Sequence, residues 1–295
     1  MIYLSSFSFP SREEESGFFM GVNETCYNCF YPFGILCDKG LDNLEFGNIT
    51  LLYGSNGCGK TTVLNVIAEK LGLERSTLYN RSDFFEKYTD RCYFKLEKSV
   101  PDASRIITSD DVFDYMLDLR SYNKSIDRKR EGIFDEYADR RNFSSGFRMN
   151  SMDDFDELRE INAARRMSKS QFTKHRLVNN LREHSNGESA FLYFAEKIKD
   201  GRLYLLDEPE NSLSPDKQIE LSAFISDMAR FFGCQFIIST HSPLLLSMKG
   251  AVVYNLDSKT ARRQKWTELA NVRIYYDFFT EHEDEFDEQD YAKEH

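Results

Sequence analysis

The sequence predicts an α/β fold with a mostly parallel core sheet and an inserted helical lobe. First, an apolar run at residues 48–54 leads through a glycine-rich loop into a helix-like pattern that ends at Gly72. Second, apolar runs at residues 203–206 and 234–240 each finish in polar residues, as buried strands do. Third, residues 120–180 are charged, poor in Gly and Pro, and helical in period.

We expect one domain over residues 1–295, assembled from three parts. The α/β core takes residues 1–105 and 201–275, with short antiparallel strands at its N-terminal end. A helical lobe, residues 106–200, is inserted into that core. An acidic tail, residues 276–295, follows it.

Composition argues for a folded protein, because 41% of the residues are hydrophobic and the chain holds 16 Tyr and 25 Phe. The net charge is −11, but residues 281–295 alone contribute −7 from eight acidic residues and one lysine. The first 280 residues therefore carry only −4. Acidity of the whole chain thus says little about whether the core binds an anionic partner.

Targeting and redox signals point to the cytoplasm. The N-terminus lacks a basic stretch followed by a long apolar run, and no segment reaches the roughly 18–20 apolar residues of a membrane span. We therefore expect a cytoplasmic protein with six reduced cysteines and no membrane partner. The single CxxC pair, Cys26 and Cys29, lacks the further ligands of a zinc site.

The glycine-rich loop "GSNGCGKT", residues 54–61, fits the phosphate-binding pattern G-x-x-x-x-G-K-[ST] between a strand and a helix. Backbone N–H groups of such a loop, and the helix N-terminus behind it, attract phosphate oxygens. Lys60 would reach the β- and γ-phosphates of ATP, and the Thr61 hydroxyl would bind Mg²⁺. The expected ATP-binding residues are Gly54, Ser55, Asn56, Gly57, Cys58, Gly59, Lys60, Thr61 and Thr62.

Polar residues at the ends of two later strands complete a candidate hydrolytic site. Asp207 follows an apolar strand, which places it near the Mg²⁺ held by Thr61, since ligands bind at the carboxyl ends of parallel strands. Glu208 is then positioned to act as general base on the attacking water. His241 ends the next strand and would contact the γ-phosphate or orient the water. The expected catalytic residues are Lys60, Glu208 and His241, and the metal ligands are Thr61 and Asp207.

The order of these motifs resembles an ABC-type ATPase. The chain has the motif order of the non-transporter branch that includes the Rad50, SMC and RecF heads: the phosphate loop, then "SNGES", "LYLLDEP", "NSLS" and "STHS". The sequence is also similar to small bacterial ATPases labelled AAA-family ATP-binding proteins. The resemblance is good over residues 48–72 and 184–256 and weak over 73–180. It implies a P-loop NTPase fold of ABC type, ATP and Mg²⁺ as ligands, and a homodimer with ATP.

The resemblance implies roles for two further loops. The family's signature loop covers the γ-phosphate bound by the partner protomer. The residues at its position in this chain are Ser185, Asn186, Gly187 and Glu188. Asn211, Ser212 and Leu213 match the loop that couples the two sites across the dimer.

Two positions of the family pattern stay open. The chain has no glutamine before Gln171, so "TSDD", residues 108–111, is the best candidate for the missing glutamine loop, with Asp110 as the substitute. The aromatic residue that stacks on adenine is open between Tyr3, Phe30 and Tyr31.

Two functions compete at this stage. In the first, two protomers close head-to-tail over two ATP molecules, and hydrolysis drives or gates an event on a partner protein or nucleic acid. In the second, ATP promotes dimerisation and docking with slow turnover, which regulates a separate effector. Residues 120–180 carry a net charge of +4, which leaves nucleic acid open as a partner. By resemblance, such proteins often stand beside an effector in prokaryotic antiviral defence operons.

Overall fold

The computed structural model describes residues 1–22, 27, 29–143, 166–174, 186–258 and 260–286. The strands are β1 (Leu4–Ser8), β2 (Asn43–Glu45), β3 (Ile49–Tyr53), β4 (Tyr93–Leu96), β5 (Arg105–Thr108), β6 (Leu203–Asp207), β7 (Gln235–Ser239), β8 (Val252–Asn255) and β9 (Arg262–Arg263). The helices are α1 (Arg12–Gly21), α2 (Lys60–Leu71), α3 (Phe85–Thr89), α4 (Ser109–Phe143), α5 (Lys169–Lys174), α6 (Asn186–Lys197), α7 (Pro215–Phe231), α8 (Pro243–Leu246) and α9 (Ala270–Glu281).

The chain divides into two compact units. The first unit contains residues 1–113 and 186–295, and the second contains residues 114–185. No helix in the described ranges is long and apolar enough to cross a membrane.

The core of the first unit is a sheet with the order β5-β6-β7-β3-β8-β9. Its strands from β5 to β8 are parallel, and only the short edge strand β9 runs antiparallel. All five residues of β3, β6 and β7 are buried, as expected for parallel strands that are covered on both faces. The predicted mostly parallel α/β core is therefore confirmed, and the carboxyl ends of these strands share one edge.

A smaller antiparallel sheet, in the order β2-β1-β4, packs beside the core, as predicted. Buried Gln235, at the start of β7, ties β1 to the core sheet. Its Oε1 accepts the backbone N–H groups of Tyr3 at 2.8 Å and Leu4 at 2.9 Å, and its Nε2 donates to the Leu4 carbonyl at 2.8 Å. A buried amide that satisfies several backbone groups fixes the spacing of the two sheets.

Helix α2 follows from its sequence pattern and lies on the core sheet. Its side chains Val63, Leu64, Val66 and Ile67 are fully buried. Burying one such side chain stabilises a fold by about 1.5–3 kcal/mol. The helix ends where Gly72 takes a left-handed φ of 64° and its N–H returns to the carbonyls of the last turn, as predicted.

Helix α4 starts immediately after β5, at the carboxyl edge of the core sheet. Asp111 caps this start: its Oδ2 accepts the Thr108 N–H at 2.7 Å, and the Thr108 hydroxyl lies 3.4 Å from the Asp111 N–H. In the second unit, the rings of Tyr137 and Phe172 pack 5.4 Å apart, with Met167 against them. The sequence "NFSSGFRMNS", residues 142–151, predicts a break between helices of the lobe, and most of it lies outside the described residues.

Candidate nucleotide-binding and hydrolysis site

The loop between β3 and α2 has the backbone that phosphate binding requires. Gly59 caps α2 with a φ of 100°, a conformation that side-chain-bearing residues rarely adopt. Gly54 is needed for a different reason: a Cβ at position 54 would overlap the Sγ atom of Cys58. The loop can therefore curl tightly, so that its N–H groups and the N-terminus of α2 face one volume.

Lys60 lies at the centre of this loop with only 4% of its side chain exposed. Its ammonium group donates to the Gly54 carbonyl at 2.7 Å and to the Ser55 carbonyl at 3.2 Å. It also lies 3.2 Å from Oε1 of Glu208, across the site. The predicted phosphate-binding lysine and the predicted base thus contact each other directly.

The first turn of the loop is held from the neighbouring strand. Asp257, just after β8, accepts the Ser55 N–H on both carboxylate oxygens, at 2.9 and 2.8 Å. The Ser55 hydroxyl donates to the same carboxylate at 2.7 Å. This contact orients Ser55, one of the predicted ATP-binding residues, through a residue that the sequence did not single out.

Cys58 is a packing residue of the loop. Its side chain is buried, with 4% exposure. Burial raises the pKa of the Cys58 thiol, while the charge and the backbone N–H of Lys60 act in the opposite direction. The thiol form is therefore favoured, which argues against an easily oxidised thiolate at this position.

Asp207 and Thr61 meet at the carboxyl end of β6. The Thr61 hydroxyl donates to Asp207 Oδ1 at 3.2 Å, and the Ser239 hydroxyl at the end of β7 donates to the same oxygen. Burial raises the pKa of the Asp207 carboxyl, and these two hydrogen bonds only partly offset that effect. A buried carboxylate beside a hydroxyl is a donor set that suits Mg²⁺, which usually takes few protein ligands and completes its shell with phosphates and water.

The raised pKa of Asp207 leads to a stability prediction. Its pKa is higher in the folded chain than in the unfolded chain, so the folded state binds more protons between the two values. The free energy of unfolding therefore falls as pH rises through that interval, and the loss persists at neutral pH. Asp207→Asn removes the buried charge, and we expect its melting temperature in metal-free buffer to rise, on the order of 2–4 °C for each kcal/mol regained.

Scanning calorimetry at pH 4 and pH 7.5 checks this expectation. The gain should be larger at pH 7.5 than at pH 4, because the raised pKa of Asp207 makes the folded wild type lose stability as the pH rises. The matched control is Asp216→Asn, which changes an exposed aspartate at the start of α7. An Asp207→Asn protein that melts below the wild type at pH 7.5 would contradict the argument from burial.

Glu208 is held by an unusual backbone conformation. Its φ of 46° and ψ of 55° are left-handed, which is uncommon for a residue with a long side chain and costs on the order of 1–3 kcal/mol. The Glu208 N–H donates to the carbonyl of Ser239 at 3.1 Å and lies 3.0 Å from its hydroxyl. This turn reverses the chain so that Asp207 and Glu208, although adjacent, both face the phosphate loop.

The Glu208 side chain is held between Lys60 and Asn211. Asn211 Nδ2 donates to Glu208 Oε2 at 3.1 Å. Desolvation by burial tends to raise the pKa of Glu208, but the hydrogen bonds from Asn211 and Lys60 and the charge of Lys60 outweigh it, and the net pKa is lowered. Glu208 is therefore ionised near neutral pH, as a general base must be.

His241 lies beside both glutamates of the "DEPE" turn. Its Nδ1 lies 3.3 Å from Glu210 Oε1 and 4.0 Å from Glu208 Oε1. Glu210 is buried and its Oε1 accepts from the Thr240 hydroxyl at 2.7 Å and from the His241 N–H at 2.8 Å. The backbone and the ring of His241 are thus fixed by one carboxylate, and the imidazole remains 46% exposed toward the site.

Next to this cluster lies a cavity of about 430 Å³. Thr61 and Asp207 line it together with Thr108, Ser109 and Asp110 at the end of β5, and Tyr31 lies on another wall. The "TSDD" segment is therefore adjacent to the candidate metal ligands, in line with the position that we expected for a substitute of the glutamine loop.

The three aromatic candidates for stacking on adenine lie in different surroundings in the structure. Tyr3 is 5% exposed and its hydroxyl donates to the Gly233 carbonyl at 3.2 Å, so its ring is unavailable for stacking. Phe30 packs against Phe84, with ring centroids 4.8 Å apart. Tyr31 lies closer to the phosphate loop, because its hydroxyl donates to Thr62 Oγ1 at 3.2 Å.

Part of the predicted signature loop can be located. Ser185 lies outside the described residues, and Asn186 is the first residue of α6. Gly187 is packed closely, because a Cβ there would lie 3.4 Å from the hydroxyl of Ser214 at the start of α7. Glu188 is exposed in the first turn of α6. The coupling loop, Asn211–Leu213, lies just before Ser214, in and directly after a short 3₁₀ helix at Pro209–Ser212.

Three residues of the site were not identified from the sequence. Glu210 lies between the "LYLLDEP" and "NSLS" motifs and has no role assigned from the sequence; its signal is an acidic residue next to a proline turn. Asp257 carried a weak signal, a polar residue just after a predicted strand. Asn271 donates to the His241 carbonyl at 2.6 Å, and nothing in the sequence marks it.

A phosphate loop, a carboxylate pair and a histidine that meet at the carboxyl edge of a parallel sheet define a nucleotide-hydrolysing α/β protein. The family model described as "ABC transporter" matches residues 42–211, more than half of the chain, and the chain therefore belongs to this family. It is an ATPase that binds and hydrolyses ATP. A second model, "AAA domain, putative AbiEii toxin, Type IV TA system", matches residues 180–247. No curated protein matches the sequence.

Several solved structures are similar in fold. The Smc head domain with an extended coiled coil, bound to the C-terminal domain of ScpA, from Pyrococcus furiosus is 12% identical, with 90% of this chain and 96% of that chain covered and a TM-score of 0.42. The SMC head domain from Thermotoga maritima is 12% identical, with 90% and 99% covered and a TM-score of 0.40. The ATP-binding cassette MJ0796, a dimer bound to ADP and Pi, is 14% identical, with 77% and 90% covered and a TM-score of 0.36.

Proposed function

We propose that two copies of the chain close head-to-tail over two ATP molecules, and that hydrolysis gates an event on a separate partner. The carrying observation is the convergence of Lys60, Asp207 and Glu208 on one volume, with Lys60 only 3.2 Å from Glu208. A complete hydrolytic set of this kind favours turnover over passive nucleotide binding. The family's signature motif, at residues 185–188, has no role within its own phosphate site, which favours a dimer.

Each residue takes a role that its surroundings support. The N–H groups of the loop and the ammonium group of Lys60 bind the β- and γ-phosphates. Thr61 and Asp207 would hold Mg²⁺, which neutralises phosphate charge when bound. Glu208, ionised and fixed by Asn211, accepts a proton from the attacking water. His241, fixed by Glu210, orients that water or contacts the γ-phosphate.

The contact between Lys60 and Glu208 gives the site an order of events. The ammonium group of Lys60 contacts Glu208 in this structure, and a γ-phosphate would compete for the same group. Nucleotide binding then weakens the hold of Lys60 on Glu208 and leaves the carboxylate to the water. Asn211 belongs to the proposed coupling loop and also bonds Glu208, so closure of a second protomer on that loop would reach the base directly.

The partner process is proposed more coarsely. The match of residues 180–247 to the model described as "AAA domain, putative AbiEii toxin, Type IV TA system" supports a role in prokaryotic defence. The separate effector protein is proposed from the family resemblance alone. Nucleic acid stays a second candidate partner, supported only by the net charge of +4 over residues 120–180. The competing function is a docking module in which ATP closes the dimer and turnover is incidental. The hydrogen bond from Asn211, in the coupling loop, to the base Glu208 favours this docking module only if the partner depends on closure of the dimer more than on hydrolysis.

Ser185→Arg tests the head-to-tail arrangement. In the proposed dimer, an arginine at the signature position would obstruct the partner's γ-phosphate site, while the sequence of the protein's own phosphate loop is unchanged. We expect the ATP affinity of the monomer to stay within about twofold of the wild type. ATP-induced dimerisation, measured by sedimentation velocity, should weaken at least ~30-fold because a bulky charge in a closed interface costs several kcal/mol.

The control is Ser121→Arg, the same change on an exposed position of α4. It should leave dimerisation and turnover unchanged. Two results for Ser185→Arg would contradict the proposal: loss of ATP binding by the monomer, or full turnover without any change in dimerisation.

A further inference from the structure

Helix α9 presents an apolar face that the other described residues of the first unit leave uncovered. Of its twelve residues, only Val272 is buried. The exposed side chains include Ile274 at 67%, Tyr275 at 50%, Phe278 at 53% and Phe279 at 52%. Phe286, at 60%, continues the series in the helical residues 283–286 that follow.

Four of these five side chains form one stripe along the helix. Tyr275, Phe278, Phe279 and Phe286 follow one another at spacings of three, one and seven residues, which places them on one helix face. The rings of Phe278 and Phe279 lie 5.5 Å apart, and those of Phe279 and Phe286 lie 6.2 Å apart. Large aromatic side chains in a continuous exposed stripe are typical of interaction sites and not of ordinary surface.

The area of the stripe suits a protein partner. Aromatic side chains bury about 150–250 Å² each, so the half-exposed members together offer on the order of 500 Å². One partner contributes roughly 800 Å² to a standard protein interface, and an amphipathic helix reaches that area when it lies in a groove. A small molecule would leave most of this surface uncovered.

Charge identifies the kind of groove. Glu281, Glu283 and Asp284 are exposed beside the stripe, and residues 281–295 carry a net charge of −7. Such a segment repels nucleic acid and anionic lipid. It also disfavours a second copy of the chain, because symmetric pairing would bring two segments of this charge together. A protein groove with an apolar floor and lysines or arginines at its rim complements both features.

The base of α9 is bonded to the nucleotide site. Asn271 donates from Nδ2 to the His241 carbonyl at 2.6 Å, and its backbone N–H donates to the hydroxyl of Tyr53 at 3.3 Å. Tyr53 is the last residue of β3 and directly precedes the phosphate loop. Leu269, at the helix N-cap, is fully buried and anchors the same end. The helix is therefore fixed beside His241 and exposed along the rest of its length.

From these contacts we infer that α9 and its acidic continuation form a docking helix for a separate protein with an apolar, basic-rimmed groove, anchored at the loop of His241. The connection to ATP rests on the proposed function, whereas the docking itself does not. Partner binding and ATP turnover are therefore tested separately, and either can be absent without the other. None of the stripe residues belongs to the nucleotide site, so their variants leave the ATPase activity of the isolated protein unchanged.

Photo-crosslinking tests this inference with a chemical probe. p-Benzoylphenylalanine replaces Phe279 in the full chain, produced in cells of the source organism and irradiated there. Phe231, an equally aromatic and 66% exposed residue at the end of α7, is the matched control position. We expect a protein adduct at position 279 that is absent at position 231, and the adduct should decrease when Glu281, Glu283 and Asp284 are all replaced by their amides.

The partner protein in the adduct is then identified and purified on its own. Its binding to the chain, without crosslinking, is measured by calorimetry. Phe279→Ser and the triple amide variant should each weaken binding at least tenfold, whereas Phe231→Ser should not, and all variants should keep wild-type ATP turnover. Adducts to a second copy of the chain, to nucleic acid or to lipid overturn the inference. So do equal adducts at both positions, no adduct at position 279, or binding that Phe279→Ser leaves unchanged.

Discussion

Glu208→Gln is expected to reduce ATP turnover by about 10²–10⁴-fold while ATP binding persists, because the amide keeps the shape of the side chain but cannot accept a proton from water. The lowered pKa of Glu208 means that the wild-type carboxylate is ionised at neutral pH and ready to accept a proton. The substitution to glutamine therefore removes all of this proton-accepting capacity. The variant also removes one negative charge beside Lys60, so ATP affinity should be equal or higher. If closure requires bound ATP, the variant accumulates as a dimer.

Single-turnover phosphate release and sedimentation velocity with ATP and Mg²⁺ check this expectation. Glu220→Gln is the control, since Glu220 is exposed and pairs with Lys217 on the same helix, α7. A variant that keeps wild-type turnover would exclude Glu208 as the base. A variant that loses turnover but never dimerises would favour hydrolysis without head-to-tail closure. Dimerisation together with very slow wild-type turnover would favour the docking-module function.

Lys60→Ala is expected to weaken ATP binding at least ~30-fold. The ammonium group is 4% exposed and sits between two loop carbonyls and Glu208, so its removal takes away a buried cation where phosphate charge must bind. Truncating one partner of a buried charged contact typically costs about 2–5 kcal/mol, and 1.4 kcal/mol corresponds to about a factor of ten. Glu208 would also lose its cation and repel the γ-phosphate.

Equilibrium titration with a fluorescent ATP analogue measures this effect. Lys70→Ala, the same change in the last turn of α2, is the control and should bind as the wild type does. The double variant Lys60→Ala with Glu208→Gln should regain part of the lost affinity, because the unpaired carboxylate is gone. Binding by Lys60→Ala at wild-type strength would remove Lys60 from the phosphate site.

The sequence was sufficient for those parts of the fold that local patterns determine. The strand–loop–helix unit at residues 48–72 and the stop at Gly72 appear in the structure as predicted. These features follow from hydrophobic period and glycine geometry, which act over a few residues. The parallel sheet also followed, because apolar strands that alternate with helices leave few other arrangements.

Long-range pairings could not be predicted. Asp257 bonds Ser55, 202 residues earlier in the chain, and Asn271 bonds His241 from a helix with no recognisable motif. Gln235, which joins the two sheets, looked like an ordinary polar residue at a strand start. Tyr3 was considered for adenine because it is aromatic and near the N-terminus, but its position at the junction of the sheets buries it. Such contacts depend on which surfaces meet in the folded chain.

The backbone of Glu208 has a consequence for how this protein can change over generations. A left-handed φ of 46° suits glycine far better than glutamate, so replacing Glu208 by glycine relieves a local conformational cost while removing the base. Glutamate and glycine codons differ by a single nucleotide. An inactive descendant that still binds ATP is therefore one step away and favoured by the turn itself. Loss of the contacts to Lys60 and Asn211 opposes that step, as does selection for turnover.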